Sequence, residues 1–389
     1  MAEQSVETWR PDVLGEGFEQ LTLSLGSDDE GDVVATLVRY RPPSGERFRW
    51  PWEQRRAASG ADVLYVHGWS DYFFNPELAR YWSDAGARFF ALDLRKYGRS
   101  LRPGHTPGYI TNLVDYDADI EAALAAMGHG PEDAAAASAR PLILLGHSTG
   151  GLTLGLWAAR HPGRAAALVL NSPWLEFQAS RIGREVLTPV VAWGARTNPM
   201  GPMPNVDLGF YTRTVAKDLD GEWEYAREWR PDRGFRVYPA WLTAILAGHA
   251  TVAAGIDVGA PVLTLLSARS TIQPRWDPAM LTTDIVLVVE DIAQRVLKLG
   301  PEVSVAWIDG ALHDVFLSRE PARAAAYASI TRWLQGYAPR PTRRSRAGCA
   351  GTSPVAEAGE RADAADGCRG ATPEPPPRTA PSAPPTAGA

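Results

Sequence analysis

The sequence predicts an α/β fold: a mostly parallel central sheet with helices on both faces and an inserted cap. Three observations predict it. Short apolar runs, among them Val63–Val66, Leu142–Leu145 and Ala166–Leu170, are continuous, as in strands covered on both faces. Segments of helical period separate these runs, which is the pattern of β–α–β units. Only the first two strand-like segments, Phe18–Leu25 and Val33–Tyr40, alternate apolar and polar residues, so they read as an antiparallel pair at one edge.

The remaining elements follow in order. Residues 44–60 form a polar, Arg-rich loop carrying Trp50 and Trp52, after which Val63–Val66 is the first parallel strand. Asn75–Gly86 reads as a helix closed by glycine, Arg88–Leu94 as a strand, and Thr111–Met127 as a helix. A Gly/Pro/Ala linker, Gly128–Arg140, leads to Leu142–Leu145, and a Leu-rich helix follows. From Trp174 to Gly259 the strand–helix alternation stops; this Trp-rich stretch is expected to be a cap over the strands' carboxyl ends. Pro261–Leu266 and Val303–Ile308 are the last strands, with helices at Asp291–Leu299 and Pro321–Tyr337. The organisation is therefore an extension (1–17), a core (18–173 and 260–337), the cap (174–259) and a Pro/Ala-rich tail (338–389). The tail is too poor in apolar residues to offset the entropy of ordering and is expected to be disordered.

Composition narrows the class. With 45% hydrophobic residues the chain has material for a large core. A net charge of −6 argues against a nucleic-acid partner. Met1–Gly15 lacks the apolar stretch of a signal peptide, and no run reaches a membrane span, so a cytoplasmic enzyme is expected. Both cysteines, Cys349 and Cys368, lie in the tail, which leaves the body without a disulfide framework or a Cys metal site.

The chemistry centres on Pro141–Trp157, where an apolar strand enters Gly146-His147-Ser148-Thr149-Gly150 and a helix leaves it. In this G-x-S-x-G turn the glycines let strand and helix nearly touch, and the serine stands exposed at a strand's carboxyl end. A serine hydroxyl needs a base, and the base needs an orienting carboxylate. His313, just after the last strand, is the base candidate. His147 is expected to point away from the turn, and His67 to brace a loop. Two acids remain open: Asp284, which precedes a short apolar step before a helix, and Asp277 beside Pro278. The backbone N–H groups of Trp69 and Thr149 are positioned for an oxyanion hole, with Gly68 allowing close approach.

Four motifs in this order resemble the α/β-hydrolase superfamily, and within it the monoacylglycerol lipase/lysophospholipase (serine aminopeptidase S33-like) group. They are His67-Gly68-Trp69; Asp93-Leu94-Arg95 with Gly98 and Ser100; Gly146–Gly150; and Leu312-His313-Asp314. The resemblance implies an α/β-hydrolase fold and a serine hydrolase without metal or cofactor. Three departures stand out. Lys96 replaces the first glycine of the family's D-x-R-G-x-G-x-S, the acid loop is stretched by residues 269–281, and Trp69 replaces a small residue. A hydrophobic or lipid ester is the expected substrate, with transient membrane-surface contact. An acyltransferase or peptidase on the same fold, or a catalytically silent binding protein, are the alternatives.

Overall fold

The computed structural model describes residues 8–43, 56–130, 140–177, 191–201, 203 and 207–337. Trp50, Trp52, most of the linker, part of the expected cap, both cysteines and the tail lie outside the described residues. One nine-stranded sheet organises the described chain, in the order β1-β2-β3-β5-β4-β6-β7-β8-β9. Its strands are β1 (Arg10–Pro11), β2 (Phe18–Asp28), β3 (Gly31–Tyr40), β4 (Asp62–Val66), β5 (Arg88–Asp93), β6 (Leu142–His147), β7 (Ala167–Asn171), β8 (Val262–Ser267) and β9 (Val303–Ile308). The first three pair antiparallel, as does β3 with β5, and all later neighbours are parallel. The expected α/β architecture is therefore present.

Strand periodicity divides the core. Leu64, Val66, Leu144, Leu168 and Leu170 face one layer, packed against α2 (Tyr116–Met127), α3 (Thr149–Arg160) and α5 (Pro239–Ala254). Val63, Tyr65, Ile143, Leu145 and Val169 face the other, against α1 (Pro76–Asp84) and α6 (Glu320–Tyr337). Because β4, β6 and β7 are buried on both faces, no polar alternation survives in them.

Local chemistry sets the helix ends. Asn75 caps α1 by accepting from Leu78 N at 3.0 Å, with Pro76 in the first turn. The helix expected from Thr111 starts later: Asn112 caps a 3-10 turn, Leu113–Asp115, and α2 begins at Tyr116. Gly128 ends α2 at φ +82°. Between β7 and β8 the described part of residues 174–259 contains α4 (Phe210–Val215) and α5, and it contributes no strand to the sheet.

The segment before Phe18 is more than an extension. Arg10 and Pro11 pair with Gln20 and Glu19, and Asp12 takes the buried Arg99 guanidinium at 2.6 and 2.9 Å. Arg99 also bonds Asp93 at 2.8 Å and the Phe73 carbonyl at 3.0 Å, so it ties the N-terminal strand to the sheet's rim at the carboxyl end of β5.

At the opposite rim Asp62 opens β4 with its side chain fully buried. It accepts from Arg88, from His129 Nε2 at 2.8 Å and from Arg140 Nε at 2.5 Å. Burial pushes its acidity toward the neutral form, but these hydrogen bonds outweigh it and hold the pKa at about 2. An unfolded aspartate titrates near 3.9, so this group stabilises the fold above about pH 4 and loses that contribution as pH falls toward 2. Asp62→Asn is expected to cost about 2 kcal/mol at pH 7. In denaturant unfolding, the gap to wild type should narrow steadily below about pH 4.

Candidate active site

Ser148 lies at the junction of β6 and α3 with φ +51°, a left-handed backbone that a serine adopts only when its surroundings enforce it. The enforcement is steric. A Cβ on Gly146 would stand 2.7 Å from Gly151 Cα, and one on Gly150 would stand 2.3 Å from the His67 carbonyl oxygen. Strand and helix therefore approach more closely than any other residue pair would allow, and Ser148 is carried over the rim.

His313 follows β9 and is almost wholly buried. Its Nδ1 lies 3.0 Å from Asp284 Oδ2, and its Nε2 lies 3.1 Å from Ser148 Oγ. A carboxylate only accepts, so Nδ1 carries the proton and Nε2 is left to accept from the serine hydroxyl. Asp284 is fixed in turn: its Oδ1 accepts from Val286 N at 2.7 Å and Leu287 N at 2.8 Å, leaving Oδ2 for the imidazole.

The stretched acid loop reaches this position by closing its own neck. Ser270 and Asp284 form a parallel β-bridge, with Asp284 N donating to Arg269 O at 3.0 Å and Thr271 N to Asp284 O at 2.8 Å. The intervening residues make an excursion, and Asp284 emerges beside the end of β8 as though they were absent. Asp277 belongs to that excursion. It caps the 3-10 turn Pro278–Thr282, accepting from Ala279 N at 2.8 Å, and does not meet His313.

The two amides expected to face an oxyanion belong to Thr149, which follows the serine, and to Trp69, which follows a glycine packed against it. Thr149 begins α3, where the helix dipole is positive. Trp69 follows Gly68, whose added Cβ would come 3.0 Å from Ser148 Cβ. His67 braces this loop, donating from Nδ1 to Gly68 O at 2.7 Å and accepting at Nε2 from Leu94 N at 3.1 Å.

Several neighbours have no signature in the sequence. Asn171, at the end of β7, donates to Asp314 Oδ1 at 2.6 Å and accepts from Val315 N at 3.0 Å. Its carbonyl also receives Ser148 N and His147 Nδ1, both at 3.1 Å, so one residue ties the serine turn to the His313 loop. His147 does not leave the site: its ring centroid is 5.0 Å from that of His313. Asp71, His147 and Asp314 present buried ligand-type atoms within 4.8 Å of one another. Arg230 Nε, 3.2 Å from Asp71, already supplies positive charge there. A separate cavity of about 340 Å³, lined by Lys217, Trp223, Tyr225 and Arg227, contains none of the residues around Ser148.

The chain is similar to several known proteins. Residues 57–220 match the family described as serine aminopeptidase, S33. A monoacylglycerol lipase of Mycolicibacterium smegmatis is 26% identical over 71% of this chain and 88% of its own length. A non-heme haloperoxidase of Rhodococcus erythropolis is 34% identical, over 29% of this chain and 36% of its own. The crystal structure of a soluble variant of monoglyceride lipase from Saccharomyces cerevisiae superposes with a TM-score of 0.54, at 13% identity, covering 87% of this chain and 98% of that one.

The chain has the α/β-hydrolase fold. It resembles the monoacylglycerol lipase/lysophospholipase group, and these similarities support a hydrolase. The departures from the group's motifs have local explanations. Lys96 occupies a left-handed site, φ +63°, where glycine is the easier residue. Its ammonium is buried between Asp28 and Glu30, 2.6 Å from each, which offsets the backbone cost. Trp69 turns its ring toward Trp241, at a centroid distance of 3.8 Å, and Phe235, at 5.8 Å.

The two candidate acids separate cleanly by experiment. Asp284→Asn is expected to lower kcat by about 10³- to 10⁴-fold, because the amide favours the wrong imidazole tautomer. Asp277→Asn is expected to stay within about twofold of wild type. Steady-state ester hydrolysis by the two variants checks both.

Proposed function

We propose that this protein is an α/β-hydrolase acting as a cytoplasmic serine esterase, which cleaves a hydrophobic carboxylic ester through an acyl-enzyme on Ser148. The observation that carries the reading is the unbroken line Ser148 Oγ, His313 Nε2, His313 Nδ1, Asp284 Oδ2, with contacts of 3.1 and 3.0 Å. Ser148 Oγ attacks the ester carbonyl carbon while His313 Nε2 takes its proton. The carbonyl oxygen becomes an oxyanion facing the Trp69 and Thr149 amides. As the C–O bond breaks, the imidazolium returns the proton to the leaving alkoxide, and the alcohol departs. Water then repeats both steps on the acyl-enzyme, releasing the carboxylic acid and restoring Ser148.

The case for a hydrophobic acyl group rests on the walls. Trp174 donates its amide to Ser148 O at 3.0 Å, and its ring lies 6.2 Å from that of Trp241. With Trp69 and Phe235 these rings pack into one apolar cluster joined to the serine turn through Trp174, chemistry suited to a lipid-like chain such as that of a monoacylglycerol or lysophospholipid. Residues 174–259, which supply three of the four rings, are read as the cap. They also expose Trp193, Met200 and Leu208, apolar side chains suited to brief contact with a lipid surface. No helix among the described residues is long and apolar enough to cross a membrane.

A nitrophenyl ester series from acetate to decanoate tests the proposal. Hydrolysis should favour apolar chains and fall by at least about 10³-fold in Ser148→Ala. Activity undiminished in that variant would end the proposal. Trp69→Ala, which restores the family's small residue, should raise kcat/KM for decanoate over butyrate by about tenfold. An unchanged ratio would remove Trp69 from the acyl wall.

A further inference from the structure

One stretch of the insertion runs antiparallel along the loop that follows the Trp69 amide. Trp223 and Tyr225 flank Phe74, at ring-centroid distances of 6.4 and 5.2 Å. Ala226 donates its amide to Tyr72 Oη at 2.8 Å, and Trp229 meets the Tyr72 ring edge-on at 5.1 Å. Arg230 Nε lies 3.2 Å from Asp71 Oδ1. Beyond it, Gly234 sits close enough to Ser70 that an added Cβ would be 3.7 Å from Oγ. Position falls from Phe74 to Ser70 on the loop as it rises from Trp223 to Gly234 on the insertion, so the contact is a continuous clamp.

That loop needs to be held. Ser70, one residue past the Trp69 amide, has φ +54°, a conformation that costs a non-glycine residue about 1 kcal/mol or more. The far end of the loop is secured: Phe73 N donates to Asp93 at 3.0 Å and Phe73 O accepts from Arg99 at 3.0 Å. The near end depends on Asp71 and Arg230, both almost wholly buried. Arg230 lies over the rings of Tyr225, Tyr211 and Phe74 at 4.7, 5.0 and 5.8 Å. A guanidinium enclosed this way is costly unless a carboxylate meets it, so the pair admits few alternative positions.

We propose that Arg230, acting through Asp71, is a positioning residue that aims the Trp69 amide at the developing oxyanion. The insertion is then part of the catalytic apparatus as well as a cover. This inference rests on the Ser148 acyl-enzyme reading. It also changes what excision of residues 174–259 should do: turnover is lost, where a simple cover would alter only chain-length preference.

The test uses the full-length protein. Arg230→Ala should lower kcat about 10- to 100-fold with KM held within about twofold, since a misaimed donor is missed chiefly in the transition state. A trifluoromethyl ketone reports the same interaction: Ser148 Oγ adds to its carbonyl, His313 takes the proton, and the hemiketal oxyanion occupies the hole. Its inhibition constant should weaken in parallel with kcat/KM across Arg230→Ala, Arg230→Lys and Tyr72→Phe, with the lysine variant intermediate. Wild-type kcat and ketone affinity in Arg230→Ala overturn the inference. So does a rise in KM alone, or a fall in kcat without a matching loss of ketone affinity. If Arg230→Ala does not fold, Tyr72→Phe decides, because it removes one tie and leaves no buried charge. There a kcat lower by about 2- to 10-fold with matching ketone weakening supports the inference, and wild-type values overturn it. Ser148→Ala separates the two levels: full activity in that variant defeats the acyl-enzyme reading itself.

Discussion

The structure depends first on the strained backbone at Ser148. A left-handed serine at the end of a buried parallel strand persists only because β6, α3 and the His67 carbonyl leave no other path for the chain. That steric constraint explains why glycine stands at 146 and 150. It also explains why the hydroxyl projects over the sheet rim, where loops from β4, β7, β8 and β9 converge. Each brings one component: the Trp69 amide, Asn171 at the very end of β7, Asp284 and His313. A parallel sheet makes this convergence possible because its strands all end on the same side.

Buried hydrogen bonds then convert convergence into fixed geometry. Asn171 spans the serine turn and the His313 loop, and Asp284 is gripped by two amides so that one oxygen is free for the imidazole. The Asp93–Arg99–Asp12 group holds the other side of the rim, which is why a two-residue strand near the N-terminus matters to a distant site. Asn171 and Asp12 find their partners far along the chain, whereas the two amides that grip Asp284 lie two and three residues on.

The sequence made the local features legible. Continuous apolar runs mark the buried strands because both of their faces are covered, and the turn at Ser148 is readable because its glycines are adjacent. His313 could be selected by its place after the last strand. Long-range partners were less legible. Nothing local at Asp284 distinguishes it from Asp277 until the bridge between Ser270 and Asp284 shows that the excursion closes on itself. Arg10–Pro11 is too short to carry a period, and its signal lies in the contact between Asp12 and Arg99, 87 positions apart. Arg230 and Asn171 act through partners on other elements, and no spacing rule selects them. Lys96 at a glycine position was visible as a departure, but its compensation by Asp28 and Glu30 exists only in three dimensions.

The central claim is that Ser148 becomes covalently acylated during turnover. Rapid mixing with a nitrophenyl ester, acid quenching and intact-mass spectrometry measure this directly. The account predicts an adduct of one acyl group per chain, mapped to the peptide containing Ser148, together with a burst of nitrophenol of the same stoichiometry. Steady hydrolysis with no acylated protein under conditions that trap the intermediate, or acylation at another residue, would contradict it.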